Sequence, residues 1–155
     1  MKTLIVFDSL YGNTRKIAKI LGKSLNAKVI QAGKVNIAGI KSYDLLIIGC
    51  PTHAGRPTAA AQSFLHSLTA SMFKNKKIAV YDTRISPEKN VLYKMAVKVF
   101  GFAAPKLAQE LKGMGVNVIV EPEGFIVEGK EGPLRMGELE RAEKWAKDII
   151  KIIDK

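Results

Sequence analysis

The stretch Asp44–Gly49, reading Asp-Leu-Leu-Ile-Ile-Gly, limits the fold most, because its four aliphatic residues run without a polar break. A strand with one wet face alternates apolar and polar residues. An unbroken run implies a strand covered on both sides, the situation of a central strand in a parallel sheet. Its neighbours in sequence fit that picture. Thr3–Phe7 reads as the first strand, Lys28–Gln31 as the second, Lys77–Tyr81 as the fourth and Val116–Val120 as the fifth. Helical spacings lie between them: Ile17, Ala18, Leu21 and Leu25, then Ala59–Leu68, Ala103–Met114, and Arg141–Ile153 with Trp145, Ile149, Ile152 and Ile153 as its stripe. Strands alternating with helices through short connections argue for right-handed crossovers. The expected fold class is α/β, a doubly wound five-stranded parallel sheet in a three-layer sandwich. At 155 residues, with no second hydrophobic unit, the chain is expected to form one domain, 1–155.

In such sheets ligands sit beyond the carboxyl ends of the strands. Three loops at those ends carry unusual chemistry: Ser9–Thr14, Cys50–Thr58, and Asp82 onward. They are expected to converge on one crevice. The first is the most telling, since an apolar strand breaks at Asp8 and a helix begins near Thr14. Strand, tight turn and helix N-terminus in that order make an anion site. The first amides of a helix lack internal partners, and its dipole places positive charge there. Ser9, Asn13 and Thr14 add side-chain donors, and Gly12 allows close backbone approach. The plainer reading is that Asn13 or Thr14 merely caps the helix.

Composition narrows the function classes. Apolar content of 47% and charged content of 25% are those of an ordinary soluble protein, and the apolar runs are too short to span a membrane. Met1-Lys2-Thr3 leads straight into a strand, so no signal peptide is expected. The single cysteine, Cys50, rules out an internal disulfide and fits a reducing, cytoplasmic setting. A net charge of +11 raises the question of nucleic acid, but the lysines are scattered and no nucleic-acid motif accompanies them. The charge suits an acidic protein partner or an anionic cofactor; a thermophile's lysine-rich surface would look the same.

The three loops, taken in order, carry a resemblance. Ser9-x-Tyr-Gly-Asn-Thr14 resembles the phosphate loop of the flavodoxin family. Cys50-Pro51-Thr52-x-x-Gly55-x-Pro57 resembles its loop over one flavin face, and Asp82 through Gly101 stands where the family holds the other face and the pyrimidine edge. The resemblance spans nearly the whole chain and implies the strand order 2-1-3-4-5 and a non-covalent FMN. By this similarity the FMN site comprises Ser9, Leu10, Tyr11, Gly12, Asn13 and Thr14 in the first loop. Pro51, Thr52, His53, Ala54 and Gly55 follow in the second, with Asp82, Thr83, Arg84 and Phe102 in the third. The amides of Leu10 to Thr14 would receive the phosphate without help from an arginine, and those of Thr52 and Gly55 would face flavin heteroatoms.

The sequence also departs from the family. Its usual aromatic in the third-strand loop is missing, leaving His53 and Arg56 as candidates. Thr83 to Phe102 is long and contains a helical pattern, Lys89–Phe100, with Val91, Leu92, Met95, Val99 and Phe100 on one face and Lys94 and Lys98 on the other. This segment is expected to cover the crevice or the core; a flavin lid, or a docking patch for a partner or membrane surface, are the alternatives. Tyr93, Phe100 and Phe102 are all candidates to stack on the ring. The basic charge, unlike the family's usual acidity, is expected to favour the anionic reduced flavin.

The leading function is an FMN-binding electron carrier, with no catalytic side chains, serving redox proteins of acidic, ferredoxin-like type, as a monomer or weak dimer. An FMN-dependent NAD(P)H:quinone-type reductase is the alternative, with Arg56, Arg84 or His53 near substrate. Two further readings are weaker. Cys50 and Arg56 have the Cys-x5-Arg spacing of a phosphatase loop, but Pro51 removes an amide that such a cradle uses. The fold could also persist without its flavin.

Overall fold

The computed structural model describes residues 1–155. The chain runs β1 (Thr3–Phe7), α1 (Asn13–Leu25), β2 (Lys28–Gln31), β3 (Leu45–Pro51), α2 (Ala59–His66), β4 (Lys77–Ile85), α3 (Val91–Phe100), α4 (Ala103–Gly113), β5 (Glu123–Val127) and α5 (Glu138–Ile153). All strand pairs are parallel, in the order β2-β1-β3-β4-β5. The unbroken run in β3 has the expected cause. Leu46, Ile48 and Cys50 face the layer containing Phe64, Leu65, Leu107 and Leu111 of α2 and α4, while Leu45 and Ile47 face α1 and α5. Full burial of each such aliphatic side chain contributes about 1.5–3 kcal/mol. On the second face Tyr81, Phe125 and Trp145 pack edge-on, with ring centroids 5.8–6.1 Å apart, pinning α5 across β4 and β5.

Two strands differ from the sequence expectation. β4 does not stop at Tyr81; it continues to Ile85, so Asp82, Thr83 and Arg84 are strand residues paired with β5. The fifth strand is Glu123–Val127, not Val116–Val120, which makes only one bridge, Val118 to Ile78. Pro122 lies between that bridge and the ladder and has no amide to donate, so regular pairing resumes only at Glu123.

The helices differ in smaller ways. Between β2 and β3, Ala32–Lys34 and Ile37–Ser42 form short 3-10 turns that bury Ile40. α2 ends at His66. α5 begins at Glu138 because that carboxylate accepts the Ile126 amide at 2.7 Å and binds Arg141, tying the helix start to β5. The greater surprise is α3. The face expected to cover the crevice points outward: Val91, Leu92, Met95 and Val99 are 59–80% exposed. Tyr93, Ala96 and Val97 turn inward instead.

Candidate functional site at the strand ends

The turn after β1 is built around Ser9. Its Oγ accepts the amides of Gly12 at 3.1 Å and Arg15 at 3.3 Å, folding the chain into a tight loop. Gly12, with φ 91°, is the residue preceding α1 and has no side chain to cap it; of the first-turn amides only that of Arg15 reaches Ser9. Asn13 and Thr14 are therefore not capping residues. Asn13 Nδ2 donates to the Glu131 carbonyl at 3.1 Å, and the Thr14 hydroxyl shares a 2.8 Å bond with Thr83. The amides of Leu10, Tyr11, Asn13 and Thr14 donate to no protein acceptor. A helix start with free amides favours an anion.

The turn after β3 is a small hairpin in which His53 and Arg56 exchange backbone bonds of 2.9 and 3.0 Å. Ala54 and Gly55 at its tip both have positive φ, 48° and 73°. Gly55 also packs against α3: a Cβ there would lie 2.6 Å from Phe100 Cβ. The Thr52 amide donates to the Thr83 carbonyl at 2.9 Å, so it does not face a ligand as the resemblance implied. The Thr52 hydroxyl accepts the Ala103 amide at the start of α4.

The end of β4 holds an arginine fixed on three sides. Arg84 Nε and Nη2 donate to both oxygens of Asp82 at 2.6 and 2.7 Å. The guanidinium lies 3.8 Å from the centre of the Phe102 ring. On a third side it packs against Gly124, where a Cβ would come within 2.2 Å of Cζ. Asp82 is wholly buried and also accepts the Ala104 amide. Burial pushes its pKa up, and the hydrogen bonds and charge of Arg84 offset only part of that.

These segments meet. A cavity of 660 Å3 opens where β1, β3, β4 and β5 end. Ser9, Leu10, Tyr11, Asn13 and Thr14 line it from one side, and Pro51, Thr52, His53, Ala54 and Gly55 from another. Thr83 and Arg84 line it from the end of β4. Gly12, Asp82 and Phe102 do not line it; the first supports the turn, and the other two hold Arg84 in place. Of the aromatic candidates, Tyr93 and Phe100 reach the cavity.

Several lining residues were not foreseen: Ile85, Ala96 and Val97 make an apolar wall, and Val127 and Lys130 come from β5 and the loop after it. With β5 placed correctly, the strand-end rule would have pointed to that loop. It is drawn to the first turn by the Asn13–Glu131 bond. The volume and the pairing of an apolar wall with polar and cationic side chains suit a small-molecule site. A phosphate-bearing planar ligand fits the donors present, with free amides at one end and an apolar slot at the other.

Cys50 lies elsewhere. It is wholly buried in β3, outside the cavity, and burial followed by the charges of Asp82 and Asp8 pushes its pKa far up. A thiol held neutral and out of reach is no nucleophile, so the phosphatase reading fails.

Comparison with known proteins agrees with the fold. Over 102 residues the chain is 30% identical to the protoporphyrinogen IX dehydrogenase [quinone] of Escherichia coli, covering 58% of this chain and 56% of that enzyme. The chain thus matches little more than half of that relative's length. An archaeal flavodoxin superposes with a TM-score of 0.73 at 16% identity, each chain covered in full. The rubredoxin oxygen:oxidoreductase of Desulfovibrio gigas superposes with a TM-score of 0.72 at 21% identity, over 99% of this chain and 36% of that one. The family profile described as Flavodoxin matches residues 5–145, and with the strand order in agreement the chain belongs to the flavodoxin family.

Proposed function

We propose that this chain holds FMN in the strand-end cavity and passes electrons between redox proteins. The observation that carries the reading is the start of α1, where the unpartnered amides of Leu10, Tyr11, Asn13 and Thr14 belong to residues lining a cavity with an apolar wall. A phosphate monoester is the anion that joins such a turn to a flat apolar ring system. Proteins of this family bind flavin, usually FMN. The flavin supplies the redox chemistry when bound. The protein's part is to grip the phosphate through Ser9 and the amides, to flank the ring with the Thr52–Gly55 turn, and to exclude water with Tyr93, Val97 and Phe100.

A net charge of +11 supports an acidic, ferredoxin-like partner. No helix is long and apolar enough to cross a membrane. Calorimetry of the flavin-free protein tests the reading. FMN is expected to bind with one site per chain and more tightly than riboflavin; no heat with FMN would overturn it.

One observation favours a second reading, a reductase acting on a small substrate. Arg56 and Lys130 line the cavity without a carboxylate partner, whereas Arg84 is paired with Asp82, and two free cations exceed what an FMN phosphate on a backbone cradle needs. The E. coli relative is a quinone-linked dehydrogenase by name. Stopped-flow mixing of the FMN-loaded protein with NADPH separates the two: fast flavin reduction without an added reductase protein supports the enzyme.

A further inference from the structure

Helix α3 is apolar on two faces, and only one is used. Tyr93, Ala96, Val97 and Phe100 face the cavity. On the other side Val91, Leu92, Met95 and Val99 fall in a stripe about 100° wide, given 3.6 residues per turn. They are 75, 80, 59 and 77% exposed, and no residue of the helix is fully buried. A helix apolar nearly all round is ordinarily covered all round. The segment's charge is mainly positive: Lys89, Lys94 and Lys98 against Glu88 alone. Glu88 meets Lys94 at 3.3 Å, an exposed pair of little strength, and Lys98 has no partner.

We infer that α3 is a docking ridge for the surface of an anionic phospholipid bilayer. Two arguments select that occupant. The ridge offers a handful of aliphatic side chains, whereas a stable protein interface needs about 20–30 residues a side. A second copy would also bring another +11 chain against it. A bilayer makes neither demand. A few aliphatic side chains enter the headgroup boundary, and each nearby lysine strengthens attachment about fivefold through the negative surface potential. Attachment of this kind needs no spanning helix, and it is independent of the flavin reading.

Co-sedimentation of the full chain with phosphatidylglycerol-containing vesicles, against pure phosphatidylcholine vesicles, is the test. Binding is expected to the anionic vesicles and to weaken with salt. Leu92→Asp with Met95→Asp should reduce it at least about tenfold, and Lys94→Glu with Lys98→Glu should abolish the preference for anionic lipid. Lys144→Glu with Lys147→Glu, which changes charge equally on exposed positions of α5, should leave most binding intact. All these positions are exposed, so unchanged thermal unfolding verifies the fold of each variant. No binding to anionic vesicles overturns the inference. So does equal loss in the α5 variant, since charge alone would then explain attachment. A dimer in sedimentation velocity that Leu92→Asp dissociates, or capture of an acidic protein that Leu92→Asp abolishes, would give the ridge to a protein instead.

Discussion

Arg84→Gln separates the clamp at the end of β4 from an ordinary surface arginine. The substitution leaves Asp82, wholly buried, without the partner that supplies two short hydrogen bonds. Removing one member of a buried pair costs about 3–5 kcal/mol, because the other charge stays behind uncompensated. For a chain of this size about 2–4 °C of melting temperature goes with each kcal/mol, so the drop should be about 6–20 °C. The pH dependence carries a sign. Burial holds the pKa of Asp82 above its ordinary value of 3.8 in the folded protein. A carboxyl with a raised folded pKa favours the folded state fully below its unfolded pKa, and that advantage is lost as pH rises through the folded pKa. Arg84→Gln removes the offsetting charge and raises the folded pKa further. The deficit should therefore be greatest at pH 8 and shrink toward acid, as Asp82 becomes protonated. Adding Asp82→Asn should recover part of it at pH 8. Scanning calorimetry of the flavin-free protein at pH 8 and at pH 5 reads all three. A loss below about 1 kcal/mol, the range of an exposed pair, or an equal loss at both pH values, would refute the reasoning.

Lys130→Gln should weaken FMN binding about fivefold while leaving riboflavin binding unchanged, and the difference should fade in high salt; calorimetry at two ionic strengths reads it. Glu138→Gln should cost about 1–3 kcal/mol at neutral pH, measured by urea unfolding. Burial alone would raise the Glu138 pKa, but the Arg141 hydrogen bond and the Ile126 amide outweigh it and leave the value below 4.5. The wild-type contribution is thus present above the unfolded pKa and lost as pH falls through the folded one, so the variant should lose less stability on acidification. In the FMN-loaded protein, the potential for the second electron should be less negative at low salt than at high salt, since screening removes the positive field favouring the anionic reduced flavin; no shift in a redox titration would dismiss that field.

Local pattern sufficed for the frame of the molecule. An unbroken aliphatic run in β3 needs cover on both faces, and alternation of strand and helix forces the crossovers that supply it. The turn Ser9–Thr14 was legible for the same reason, since strand, turn and helix are contiguous and their free amides follow from helix geometry. Long-range pairing was not legible. Residues 116–120 read more like a strand than Glu123–Val127, yet Pro122 and the continuation of β4 placed the ladder later. That shift brought Lys130 to the cavity and set Gly124 against Arg84. The same limit applies to α3, where periodicity marked Val91, Leu92, Met95 and Val99 as an apolar face but carries no direction. Which side of a helix apolar on two faces meets the protein is decided by what the tertiary fold places beneath it, and here Tyr93, Ala96 and Val97 took that place.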